Sequence, residues 1–298
     1  MVDPLMLLVD GNNLVLRAYH SQRYRDSSGE WKGLSTSDGR SSGALYGTLV
    51  MFCRLVREFN PTHVLFTFDY GRSKARTEIR PEYKANRSQD PKQREDLKPQ
   101  YGAIEKLLSS LDVRHYREQG VEADDLIAKA VSNWQKEMPI VVVSADHDLL
   151  QLVNNKVKVL KPGMGGNSRE KIYTQDKVEE EYSLPPKRLP EAWAISGDSG
   201  DNIRGVSRVG YKTALKILSG YDSLSEAIAF HPKLEGSERL VQENYQLIHL
   251  DGSFANLNVS LDECSFTKDF DEGTIRKILE DWEFKSIITR LDEGRFWG

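Results

Sequence analysis

Gly120-Val-Glu122-Ala-Asp124-Asp125 places three carboxylates within four residues, ahead of the apolar-periodic run Leu126, Ile127, Ala130, Val131 and Trp134. Acids suit a helix start because the helix dipole is positive there, so simple capping is one account. Packed carboxylates also repel and raise one another's pKa unless a cation neutralises them, so a divalent-metal site is the other. Six more acids tip the balance. Asp10 follows the apolar residues 5–9, Asp69 follows 63–68, and Asp146 and Asp148 follow 139–143. Asp198 and Asp201 lie in Gly197-Asp-Ser-Gly-Asp-Asn202. Carboxylates at strand C-termini of an α/β sheet face its ligand crevice. No Cys/His cluster accompanies them, which argues against zinc, whereas an all-oxygen set suits Mg²⁺ or Mn²⁺. So many acids imply at least two ions; a pair ~4 Å apart activates a water and stabilises the leaving oxygen in attack on a phosphodiester. A cation over the scissile phosphate would add to this, and Lys84 and Arg17 are the best placed in sequence. Tyr83 is positioned to stack on a terminal base. His20, one helical turn from Arg17, is a weaker candidate and equally reads as an ordinary satisfied histidine.

The elements that must carry these groups alternate. Buried strands are expected over 5–9, 63–68 and 139–143, a short one over 113–116, and edge strands over 155–160 and 171–173 around a glycine-rich turn at 163–166. Helices are expected over 14–20, 44–58, 101–111 and 126–134. Residues 26–43, rich in Ser and Gly, read as a loop with Trp31 folded over its base. Asp90-Pro91 opens a helix polar nearly all round, expected to stand away from the core. The pattern is α/β with a mostly parallel central sheet and a carboxylate cluster on one rim. From residue 184 the chain reads as helical: 1–183 forms one region and 184–298 a second, with Arg295-Phe-Trp-Gly298 as a frayed end.

The 298 residues carry a net charge of −4, unpromising for a nucleic-acid partner until the distribution is considered. Residues 72–98 hold nine Lys/Arg (among them Arg72, Arg76, Arg80, Lys84 and Arg87) against five acids. Arg204, Arg208, Lys212 and Lys216 occur over 203–216 with no acid. Removing the nine candidate metal ligands from the 45 acids leaves 36 against 41 basic residues, a mildly basic surface around an acidic pocket. Gly205-Val-Ser-Arg-Val-Gly210 looks like a hairpin opening a basic helix, whose N-terminal amides and lysines make a phosphate site; a tight turn with solvated lysines is the alternative. No apolar run approaches the ~20 residues needed to span a bilayer. Two cysteines, Cys53 and Cys264, fit a reduced cytoplasmic protein without disulfides.

The ordered motifs resemble those of the 5′-nuclease (flap endonuclease) superfamily: Val9-Asp-Gly-Asn-Asn-Leu14, Ser42-Gly-Ala-Leu-Tyr-Gly47, Phe68-Asp69, Tyr83-Lys84, Gly120-Val-Glu-Ala-Asp-Asp125, Ser144-Ala-Asp-His-Asp148, Gly197-Asp-Ser-Gly-Asp-Asn202, and the helix–hairpin–helix at 205–214. Glu283 to Leu291 matches the family's closing helix, so the likeness covers essentially the whole chain. The resemblance implies a PIN-like fold, a helical arch near 84–100, a helix–hairpin–helix over about 190–218, and metal-dependent cleavage of DNA flaps with 5′–3′ exonuclease action. It implies a first metal site drawing on Asp10, Asp69, Glu122, Asp124, Asp125 and Asp146, and a second on Asp146, Asp148, Asp198 and Asp201. It further implies DNA contacts from Arg17, His20 and the basic residues above, and a K⁺ ion held by backbone at Val206 and Val209. The expected partner is DNA with a 5′ flap, fork or nick, including RNA primers on DNA; the expected state is a free-standing monomeric nuclease in a bacterial or phage-infected cytoplasm. Two departures stand out: Ala75 where relatives often carry an aromatic, and Arg208 where glycine is frequent. A non-catalytic DNA-binding protein of the same fold would have lost some acids, and none is missing. A phosphatase using Asp10 as nucleophile would want an acid at position 12, where Asn12 stands.

Overall fold

The computed structural model describes residues 3–29, 31–87, 90–163 and 170–298. Strands β1 (Met6–Asp10), β4 (His63–Phe68), β5 (Arg114–Arg117), β6 (Ile140–Val143), β7 (Val157–Lys161) and β8 (Lys171–Tyr173) form a sheet of order β5-β4-β1-β6-β7-β8. All neighbours are parallel except β7 and β8. β2 (Arg23–Arg25) and β3 (Trp31–Gly33) pair as a hairpin within the segment expected to be loop, with Arg23 and Arg25 over the Trp31 ring.

β1 is central and buried at all five positions, as an apolar strand covered on both faces must be. Its side chains alternate between two cores. Met6 and Leu8 point to one, shared with Ile127, Val131 and Trp134 of α5 (Ala123–Trp134) and with the second, helical region. Leu7 and Val9 point to the other, shared with α2 (Gly43–Phe59) and α4 (Pro91–Ser110). Parallel pairing aligns the strand ends: Asp10 lies opposite Thr67, and Val9 opposite Val143. Asp10, Asp69 and Asp146 therefore emerge on one rim.

The first helix, α1 (Gly11–Ser21), starts directly at the end of β1, with Asp10 as its cap. Short α3 (Lys74–Ile79) follows β4. The two helices expected over 90–111 are one: α4 runs on through Pro99, because Leu97 and Gln100 pack inward and the Gln100 side-chain Oε1 accepts a bond from the Leu45 amide at 3.0 Å. Its first turn, capped by Asp90, is the exposed polar part. The expected arch at 84–100 falls partly outside the described residues at 88–89, as does the glycine-rich turn beyond Gly163.

After α6 (Gln175–Tyr182) ends the first region, the second contains α7 (Leu189–Ser196), the two-residue pair β9 (Gly197–Asp198) and β10 (Ile203–Arg204), α8 (Tyr211–Leu218), α9 (Leu224–Phe230) and α10 (Glu238–Ile248). Buried Asn244 of α10 ties it together, donating to the carbonyls of Ala194 and Arg204 at 2.8 Å each. The last helices, α11 (Glu272–Asp281) and α12 (Lys285–Asp292), return to the first region, burying Ile275, Leu279 and Leu291 in the core of α2 and α4. The expected frayed end is corrected: Phe296 is buried, and Trp297 packs edge-on to Phe52 and Phe266 while its indole N–H donates to the Lys268 carbonyl at 3.0 Å. Apolar surface worth burying outweighed the entropy of a free terminus. Among the described residues no helix is long and apolar enough to cross a membrane.

Candidate metal centre and nucleic-acid interface

The rim is held by short polar side chains from the same motifs. Asp10 accepts from the Asn13 amide at 3.0 Å and from the Ser144 hydroxyl at 2.7 Å. Asn13 accepts from the Ala145 amide at 2.9 Å, and Asn12 from the Asp69 amide at 2.8 Å. The two asparagines thus clasp the ends of β6 and β4 to that of β1. Asp69 in turn accepts from the Ala123 amide at the start of α5, at 2.8 Å, which brings the acids of that helix to the rim. Asp146 and Asp148 are drawn together by the Asp148 amide, which donates to Asp146 at 3.0 Å. The loop of Asp198 and Asp201 is laced on from the second region: Asn86 donates to the Ser199 carbonyl, Asn202 to that of Glu82, and the Lys84 amide to that of Asp201.

The nine acids divide into two electrostatic groups. Asp125, only 1% exposed, is gripped by the Arg76 guanidinium, whose Nη2 donates at 2.9 Å while Nη1 bridges to Glu122 at 3.0 Å. Glu122 also accepts from Lys84 at 2.6 Å and from the Tyr83 hydroxyl at 3.1 Å. Asp201 accepts from Tyr83 at 3.0 Å, is paired with Arg87, and lies 3.5 Å from Lys84. Burial opposes the charge on Lys84, but Glu122, Asp201 and Asp124 outweigh it and hold the ammonium charged. These three acids already have cations.

Among the described residues Asp10, Asp69, Asp124, Asp146, Asp148 and Asp198 form no ion pair with Arg or Lys. Burial, then Asp69 and Asp146, push Asp10 up to about 7. Burial and the neighbouring acids lift Asp124 and Asp148 well above the usual carboxylate range. Desolvation on the crowded rim raises Asp69 too, though its side chain still reaches water. A set of oxygens that repel each other and lack Arg or Lys partners is the donor set a hard divalent cation neutralises, so the residues present fit Mg²⁺ or Mn²⁺.

Several expectations are corrected here. Arg76, 2% exposed, is a buried counter-ion and offers nothing to DNA. Tyr83, 4% exposed, spends its hydroxyl on Glu122 and Asp201 and cannot stack on a base. Asp125, expected as a metal ligand, is buried and already paired with Arg76. Arg80 turns inward to Asn244 at 2.8 Å and to Glu243. Arg17 donates to the Pro162 carbonyl. His20 is exposed, and Arg72, also exposed, donates to the Tyr83 carbonyl at 3.1 Å. Arg204, Arg208, Lys212 and Lys216 are all exposed on the hairpin and α8. Val206 and Val209 are buried, and the Val209 amide donates to the Val206 carbonyl at 3.0 Å. A cleft of about 760 Å³ lies between the rim and α4, lined by Asn12, Asp69, Arg87, Arg94 and Tyr101. Asp69 also lines a cleft of about 440 Å³ with Arg72 and Lys84. Sequence reasoning missed His147 among the acids and the clasp by Asn12, Asn13 and Ser144, although all four stand inside the quoted motifs.

An α/β protein with cation-seeking carboxylates at the C-terminal rim of its sheet and a basic helical region beside it defines the class. The chain belongs to the 5′–3′ exonuclease family: residues 5–183 match its N-terminal resolvase-like domain and 184–272 its C-terminal SAM fold. It is 32% identical over 269 residues to a 5′–3′ exonuclease of Bacillus subtilis, covering 89% of this chain and 86% of that one. It is also 32% identical over 295 residues to DNA polymerase I of Mycobacterium tuberculosis, covering 97% of this chain but spanning only 31% of that relative's length. Its fold matches the bacteriophage T5 D15 flap endonuclease, solved as a pseudo-enzyme–product complex with DNA and metal ions, with a TM-score of 0.66 at 23% identity over 94% of this chain and 99% of that one.

Removing the Arg76 guanidinium strands two buried carboxylates. Arg76→Ala should therefore lower unfolding free energy by about 3–5 kcal/mol, read from urea denaturation; a loss under ~1 kcal/mol would contradict the role of the fork.

Metal binding should be linked to pH. Asp10 has its ordinary value of 3.8 in the unfolded chain and about 7 when folded. Between those values the folded state holds the extra proton, so the metal-free protein loses stability as pH rises through that window. A divalent ion needs the carboxylates deprotonated, so Mg²⁺ should raise Tm more at pH 8 than at pH 5, by about 2–4 °C per kcal/mol of binding. Thermal scans with Mg²⁺ or chelator check this; equal shifts at both pH values would count against it.

Proposed function

We propose that this protein is a structure-specific 5′ nuclease that hydrolyses phosphodiester bonds by a two-metal-ion mechanism. It acts as flap endonuclease and 5′–3′ exonuclease on DNA with a 5′ flap, fork or nick, and on RNA primers annealed to DNA, in replication or repair. The observation that carries this reading is the group of six rim acids without an Arg or Lys ion pair among the described residues, next to a lysine held charged. Family membership and the likeness to an endonuclease solved with DNA and metal ions support it.

In this reading Asp10, Asp69, Asp124 and Asp146 hold one ion, and Asp146, Asp148 and Asp198 a second. Glu122 and Asp201 act mainly on Lys84 and through water. Such ions supply an activated water and neutralise charge on the scissile phosphate. The chain's own residues do the rest. Lys84, with its ammonium between Glu122 and Asp201, faces the rim and offers N–H donors to a phosphate oxygen in the transition state. Arg87, exposed and reaching Asp201, and Arg94 in the larger cleft guide the 5′ strand beneath the exposed start of α4. Arg204, Arg208, Lys212 and Lys216 grip the duplex backbone, contacts that position without reading sequence. A K⁺ ion at the carbonyls of Val206 and Val209 would stiffen that hairpin. The protein works as a monomer.

A 5′-labelled flap substrate incubated with Mg²⁺, Mn²⁺ or chelator tests the reading. Cleavage near the junction, abolished by chelator, is expected; inertness toward flaps and nicks with either metal would sink it. Lys84→Ala should lower kcat on the order of 10²–10³-fold with little change in Kd for DNA. A loss confined to affinity would contradict the electrostatic role.

Lys212→Ala and Lys216→Ala should each weaken duplex binding and reduce the slope of log K against log salt by ~0.9 per phosphate contact. An unchanged slope would place the duplex elsewhere.

A further inference from the structure

Asp146, His147 and Asp148 form a group whose ligand atoms lie within 4.8 Å of one another, just beyond the end of β6. The imidazole sits among three acids from two regions of the chain. Its Nε2 is 3.4 Å from an Asp148 oxygen and 3.8 Å from an Asp198 oxygen, and its Nδ1 is 3.7 Å from an Asp146 oxygen. Among the described residues neither ring nitrogen makes a hydrogen bond. The ring is oriented instead by Trp193 of α7, which it meets edge to face at 4.9 Å and 90°.

We propose that His147 is a nitrogen ligand of the second cation site, completing the oxygens of Asp146, Asp148 and Asp198 and biasing that site toward Mn²⁺ and Co²⁺ over Mg²⁺. The inference rests on the two-metal reading above and adds to it the chemical character of one site. Metal–ligand bonds of ~2.1 Å hold neighbouring ligands about 3 Å apart and opposite ones about 4.2 Å apart. The Nε2 separations of 3.4 Å from Asp148 and 3.8 Å from Asp198 lie between these, and Asp146 lies with His147 and Asp148 in a group spanning no more than 4.8 Å, so side-chain rotations bring those three onto one ion with Asp198 beside it. Lacking a hydrogen bond, the ring turns without cost to one, while Trp193 keeps it at the site. Imidazole favours the later divalent metals, whereas Mg²⁺ prefers carboxylate, carbonyl and water. The first site, built from Asp10, Asp69, Asp124 and Asp146, has no such nitrogen and keeps the all-oxygen preference. The two sites should therefore separate in mixed metal solutions.

Pulsed electron paramagnetic resonance of the full chain loaded with Mn²⁺ tests this without any turnover. The wild type should show nitrogen modulation from a directly bound imidazole on one Mn²⁺, and His147→Gln should lose it while still binding Mn²⁺. Competition titrations should show the preference of the second site for Mn²⁺ over Mg²⁺ falling roughly ten- to hundredfold in the variant. Mn²⁺ bound to the wild type without nitrogen coupling, or an unchanged preference in His147→Gln, would overturn the ligand assignment and leave the metal centre standing. No Mn²⁺ bound by either protein would overturn both.

Discussion

Mutual repulsion among carboxylates governs this molecule. Two unit charges 4 Å apart interact by about 4 kcal/mol at an effective dielectric of 20, and nine acids converge where three strands end, α5 begins and the loop of β9 and β10 docks. Such a rim cannot fold unless most of the charge is cancelled. Internal cations cancel part of it: Arg76 takes Asp125 and shares Glu122, while Lys84 and Arg87 take Asp201. The remaining six acids have no Arg or Lys ion pair among the described residues, and burial first, then their neighbours' charge, raises Asp10, Asp124 and Asp148. Instability left in one place is affinity for divalent ions in the same place.

The compensated acids also join the two regions. Glu122 belongs to the start of α5 and Asp201 to the loop after β9, yet one phenol, that of Tyr83, donates to both. Two asparagine side chains and the Lys84 amide, bonding to backbone carbonyls between residues 82–86 and 199–202, run alongside it. Charge balance and domain docking are therefore one structure: a helical region that drifted away would strip Lys84 and Arg87 of Asp201. The closing helices α11 and α12 add an apolar strap across the opposite face of the sheet.

Much of this was legible in the sequence, and the failures share a cause. Apolar runs ending in acids announced the parallel strands and their common rim, because strand ends align whenever neighbouring strands pair parallel. What sequence spacing could not give was which basic residues turn inward. Arg76 stands in a basic segment and reads as surface; its partners Glu122 and Asp125 are 46 and 49 positions away, and only the fold, which bonds the Lys74 amide to the Gly120 carbonyl ahead of α5, brings them within reach. Tyr83 misled in the same way, since a buried phenol and a stacking one look alike in one dimension. Trp297 did so in reverse, as a terminus with a core to dock on. The His147 imidazole was overlooked because its neighbours on either side are the acids themselves, and attention went to the charges.

Two of the cations assigned to phosphate sit on backbone that their side chains disfavour. Lys84 has φ +55° and Arg208 φ +63°, in the left-handed region where glycine is at ease and other residues pay roughly 1–2 kcal/mol. At Lys84 the turn is locked by its own amide, which bonds the Asp201 carbonyl, and by the ion pair with Glu122. The strained turn points the ammonium at the rim, which a relaxed extended residue here would not do. At Arg208 the hairpin is held by the Val209 amide to the Val206 carbonyl and by the Val206 amide to that of Ile195. Its exposed side chain makes no internal ion pair among the described residues, so folding gains nothing from the guanidinium that would offset the strain. Glycine would relieve both turns and forfeit both charges. At Lys84 the lost charge would also leave Glu122 and Asp201 uncompensated, so the strain there is offset inside the molecule; at Arg208 nothing inside offsets it, which fits the phosphate contact proposed for that guanidinium.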